Sequence, residues 1–75
     1  MEYDTLMKLR DDIILYIAKN GIGNPGNAVP YDEIERHFNI NWEIRQKICF
    51  AMSAAGYLYE GSEAMYLMGL SREGL

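Results

Sequence analysis

A chain of 75 residues with no low-complexity tract makes one domain at most, with a small core and little stability to spare. Apolar residues are 49% of the chain and charged residues 24%, a globular composition and not a disordered one. The formal net charge of −4 argues against a strong general nucleic-acid binder, because such affinity comes from basic side chains neutralising phosphates.

The first helix is expected from about Asp4 to Asn20. Leu6, Leu9, Ile13, Ile14 and Ile17 keep the three-and-four spacing of one apolar face. Asp4 or Thr5 is the expected N-cap, and Gly21 stands where a left-handed residue ends a helix. The opening stretch MEYDTLMKLRDD is acidic and lacks the apolar core of a secretion signal. The apolar runs are far too short for a membrane span.

GIGNPGNAVP follows, with three of the seven glycines and both prolines, and reads as a loop in which Ala28-Val29 can form a very short strand. It lacks the following lysine and preceding strand of a phosphate-binding loop. A short second helix is expected over Tyr31 to Phe38. Pro30 starts it, Asp32 and Glu33 suit the dipole of its first turn, and Ile34 and Phe38 point to the core. Asn39-Ile40-Asn41 is a tight turn, with Asn41 as a cap. The third helix is expected from Trp42 to Ala55, with Ile44, Ile48, Ala51, Met52 and Ala55 as its apolar stripe and Gly56 as its end. Tyr57 to Glu60 and Ala64 to Met68 then read as strands joined by a two-residue turn at Gly61-Ser62.

Cys49 is the sole cysteine, so no intramolecular disulfide forms. Its setting between Ile48 and Phe50 reads as a small buried or half-buried hydrophobe in a reducing, cytoplasmic protein. His37 is the sole histidine. Glu33 stands four residues before it, but no second histidine or cysteine completes a metal or catalytic site, and a boundary or surface histidine is the simpler reading. Asp11-Asp12 and Asp32-Glu33 diverge on their helices and read as solvated faces. No enzyme, metal or cofactor is expected.

An isolated hairpin is marginal in water, so the hairpin needs the three helices to pack on. The order of helix, short strand, helix, tight turn, helix and hairpin resembles the winged helix, an α+β fold with a three-helix bundle and a C-terminal β-hairpin wing. Val29 would supply a short third strand. The residues resemble that family too. VPYDEIERHFNIN looks like the first helix and turn of a winged helix-turn-helix. ICFAMSAAGYLYEG and YLMGLSREG look like the end of a recognition helix, the entry to the wing, and the leucine-threonine-x-x-glycine ending common in bacterial regulators, with Ser71 in place of threonine. The resemblance covers nearly the whole chain as a single domain, 1–75, and rests on folding positions rather than chemistry.

What the resemblance implies is a small transcriptional regulator whose third helix enters the major groove of double-stranded DNA. Gln46 and Lys47 on the outer face suit base-edge and phosphate contacts. Arg36, Arg45 and Lys47 lie on the two helices of the helix-turn-helix and form either a small positive patch or scattered solvated charge. Arg45 borders the two faces at a position the family usually keeps apolar, a departure that rotating the helix by one residue would explain. The acidic wing tip, EGSE, does not suit phosphate.

The alternative is a protein-interaction module without DNA binding. Trp42, Gln46 and Phe50 recur every four residues and make one ridge, better suited to a protein partner or a homodimer than to a groove. Tyr57 and Tyr59 share one face of the wing and extend the aromatic surface. The bland reading packs Trp42 and Phe50 against the wing or the long loop.

Overall fold

The computed structural model describes residues 2–21, 28–58 and 67–71. Five elements follow in chain order: α1 (Tyr3–Asn20), β1 (Val29–Pro30), α2 (Tyr31–Phe38), α3 (Trp42–Ala54) and β2 (Leu67–Met68). The described residues make a small, mostly helical α+β domain.

The helix limits follow from local chemistry, with two departures at α1. Its N-cap is Glu2, which makes no side-chain cap bond, and Asp4 sits inside the first turn where its charge suits the helix dipole. Neither Asp4 nor Thr5 is therefore the cap. Gly21 is right-handed (φ −84°, ψ −6°) and its N–H donates to the Ile17 carbonyl at 2.8 Å, so it extends the helical pattern instead of reversing it. Gly21 is also buried.

The other two helices close in the same manner. Asn39 is left-handed (φ 52°, ψ 49°). The Ile40 N–H donates to the Glu35 carbonyl at 3.0 Å and the Asn39 N–H to the Arg36 carbonyl at 3.3 Å. Gly56 has φ 78°, with the Tyr57 N–H bonded to the Met52 carbonyl at 2.8 Å and the Gly56 N–H to the Ser53 carbonyl at 3.0 Å. Both ends are thus Schellman closures, which satisfy carbonyls that a helix end leaves open. Asn41 caps α3, its side-chain oxygen accepting from the Ile44 N–H at 2.9 Å. The helix stops at Ala54, and Ala55 is exposed rather than part of the apolar stripe.

The sheet is minimal. β1 pairs antiparallel with β2, Val29 opposite Met68 and Pro30 opposite Leu67. Leu58 forms an isolated antiparallel bridge with Leu70, and the Ser71 N–H donates to the Tyr57 carbonyl at 2.7 Å. Residues 67–71 are therefore the common partner of β1 and of the chain leaving α3. The expected turn at Gly61-Ser62 lies outside the described residues, but its register does not hold. A two-residue turn there would set Leu58 opposite Met65, whereas Leu58 meets Leu70. Leu70, buried with Val29 and Met68, and Leu58, half-buried against them, explain the observed pairing: register follows the residues that share the core face.

Ile13 and Ile17 from α1, Ile34 from α2, Ile48 and Met52 from α3 and Met68 from β2 are all 0% exposed. Each such side chain contributes about 1.5–3 kcal/mol of transfer free energy. The core thus draws on all three helices and the sheet, and α3 lies with one face on it and the other in solvent.

Candidate functional site

The inward and outward arcs of α3 are set by helical geometry. Ile48, Cys49 and Met52 are buried, with Ile44 and Arg45 half-buried beside them. Phe50 stands two residues from both Ile48 and Met52, about 200° away around the helix. It is 70% exposed, and Trp42 is 58% exposed. Both rings thus stand largely exposed, and most of the loop and wing residues that the bland reading would pack them against lie outside the described residues. Glu43, Gln46, Lys47 and Ser53 are exposed on the same side. The ridge of Trp42, Gln46 and Phe50 read from the spacing stands on the surface.

Arg45 is elsewhere. Its Nε donates to Glu35 Oε2 at 2.9 Å, and its Nη1 lies 3.7 Å from Cys49 Sγ. Its guanidinium carbon sits 3.9 Å from the centre of the Tyr31 ring. The Arg45 and Glu35 side chains are only 13% and 26% exposed. Burial would lower the arginine pKa, but the hydrogen bonds to Glu35 and Cys49 outweigh it and hold the group above its ordinary value. Arg45 therefore joins α3 to α2, and α3 is turned so that this cation faces inward. Glu35 and Tyr31 were not singled out from the sequence. Cys49 was, as a partly buried residue, and its position one turn after Arg45 was the available sign that Arg45 shares its side.

The remaining basic candidates stay outside. Arg36 is exposed, with its Nε 3.3 Å from the Asp32 carbonyl one turn back. It borders a groove lined by Asp32, Glu35, Asn39 and Ile40, two of them acidic. Lys47 and Gln46 are exposed on α3. Tyr57 is half-buried, its carbonyl is taken by Ser71, and the Arg10 guanidinium carbon lies 5.9 Å from its ring centre. It packs against the core and does not extend the ridge. Tyr59 lies outside the described residues.

His37 is exposed and belongs to an aromatic contact between α1 and α2. Its ring centre is 4.2 Å from that of Tyr16 and 4.9 Å from that of Phe38. The Tyr16 hydroxyl donates to Glu33 Oε2 at 2.6 Å, and this bond, which favours the protonated phenol, raises the Tyr16 pKa. Glu33, four residues before His37 on α2, thus accepts a hydrogen bond from a tyrosine. Among the described residues, no three His, Cys, Asp or Glu side chains gather into a group that could hold a metal ion.

Tyr3 and Leu15 on α1 are also well exposed, at 73% and 69%. They are twelve residues apart, about 120° around the helix, so they form no common patch. Single exposed apolar side chains of this kind are ordinary. Among the described residues no helix is long and apolar enough to cross a membrane. In comparisons with known proteins, no family model, no curated protein and no solved structure matches this chain.

Proposed function

We propose that this chain is a winged-helix module that recognises another protein through the outer face of α3. The winged-helix part is supported by the element order and by residues 67–71 serving as common partner to β1 and Leu58, the connectivity of a wing beside a short third strand. The protein-contact part is carried by one observation. Phe50 stands on the side of α3 opposite the core and is 70% exposed, one ridge with Trp42. Large aromatic side chains in that position favour a desolvated protein interface, where they are enriched, over a phosphate-lined groove.

A second reading, a DNA-binding regulator with α3 as recognition helix, is favoured by Gln46 and Lys47, both exposed on that face. Against it stand the net charge of −4 and the use of Arg45 within the fold.

Replacing Phe50 with the photo-cross-linker p-benzoylphenylalanine separates the two. Covalent polypeptide adducts that disappear in a Trp42→Ala background support the protein-contact reading. Nuclease-sensitive adducts would transfer the assignment to DNA, and salt-sensitive binding to mixed-sequence duplex that Lys47→Glu abolishes would do the same. Absence of both any adduct and any duplex binding would sink both.

A further inference from the structure

We infer that the occupant of the outer face of α3 is a second copy of this chain, docked antiparallel about a twofold axis passing at Gln46; this rests on the protein-contact reading above. The ridge is symmetric in the way such a contact requires. Trp42 and Phe50 stand four residues to either side of Gln46, and all three are exposed. Reversing one helix against the other exchanges the two aromatic positions and keeps the central one. Each Trp42 then meets a Phe50, a pairing that adds aromatic contact to apolar burial at both ends. The two Gln46 amides face one another at the axis, and each can donate and accept.

The neighbouring row carries the independent observation. Glu43 and Lys47 are exposed, one turn apart, and beside the ridge. Among the described residues neither is in an ion pair. An antiparallel contact brings Glu43 of each copy beside Lys47 of the other, twice. A parallel twofold contact puts the Glu43–Lys47 rows of the two copies on opposite sides of the ridge, where they do not meet. The charge pattern therefore complements itself in one orientation only, as an isologous twofold interface demands. A foreign partner would need to supply that same reversed pattern, whereas a second copy already has it.

The contact is small. A tenth of the 5036 Å² surface is on the order of 500 Å² per copy, so the total falls at the low end of specific interfaces. A weak dimer, appearing as concentration rises, is the expectation for a contact of this size.

Sedimentation equilibrium of the purified chain from low micromolar to millimolar concentration tests this, with Trp42, the sole tryptophan, as the optical report. The expected result is a mass rising from one chain towards two, with Trp42 emission moving to the blue in step. Phe50→Ala should weaken association by at least about tenfold. Glu43→Lys and Lys47→Glu should each weaken it, and the double exchange should restore it, with unchanged helical circular dichroism throughout. A monomer at every concentration, a dimer without the Trp42 shift, single exchanges without effect, or a double exchange that fails to restore would each overturn the inference. A monomer whose position-50 cross-linker still captures a different polypeptide would leave the module reading standing, while a monomer that captures nothing would end both.

Discussion

The two faces of α3 share a short helix and a similar stock of side chains, yet they put them to opposite uses. Inside, a cation and a thiol sit among aliphatic residues, and Arg45 is held at once by Glu35, Tyr31 and Cys49. Outside, two aromatic rings stand in solvent beside an amide and a lysine. Chemical type alone would have placed the arginine outside and the phenylalanine inside. What assigns them is angular position: Arg45 is one turn from Cys49, and Phe50 is far from both Ile48 and Met52. A charge goes inward when an acceptor and a ring already wait there, and a ring stays outward when geometry leaves it no core to reach.

The strongest way to break this comparison is to shorten the inner face. Ile48→Ala removes a fully buried side chain from a small core and should cost about 3 kcal/mol, a large share of the stability of a 75-residue domain. Ile48→Val, at about 1 kcal/mol, keeps the loss measurable by urea titration. A cost for Ile48→Ala below that of Phe50→Ala would invert the assignment of faces.

Arg45→Ala should come next, at about 2 kcal/mol, from the lost charge-assisted bond to Glu35 and the contact with the Tyr31 ring. Arg45→Lys should recover only part of it, because an ammonium does not reproduce a planar guanidinium lying over a ring. An arginine acting only at the surface would leave the urea midpoint of Arg45→Ala unmoved, so that outcome would return Arg45 to the list of ligand contacts. The smallest effect belongs to the outer face. Phe50→Ala should change the stability of the monomer by less than about 0.5 kcal/mol, measured at concentrations too low for association.

Most of the helical architecture was legible in the sequence because it rests on near-neighbour chemistry. The limits of α2 follow from Pro30 before it and Asn39 after it, and those of α3 from Asn41 and Gly56. The exposed ridge was legible as a period of four. What sequence spacing did not reveal depends on contacts between elements. Gly21 is right-handed and buried, and no local signal distinguishes it from the left-handed end that a glycine there suggests. The Leu58–Leu70 pairing obeys burial rather than the attractive turn dipeptide. Arg45 finds Glu35 ten residues back on another helix, and no sequence period announces such a pair.

The position of residues 67–71 has a consequence for how the chain comes into being on a ribosome. Helices α1, α2 and α3 consist of local contacts and can form as soon as they emerge, since local structure needs little loop closure. Met68 and Leu70 fill the core and close both strand pairings, yet they are synthesised after every helix they complete. Before that, Val29 lacks the strand partner that Met68 provides. A chain lacking residues 67–71 leaves the core without Met68 and Leu70, and so with apolar surface exposed. A few late residues thus set the moment at which translation yields a folded domain.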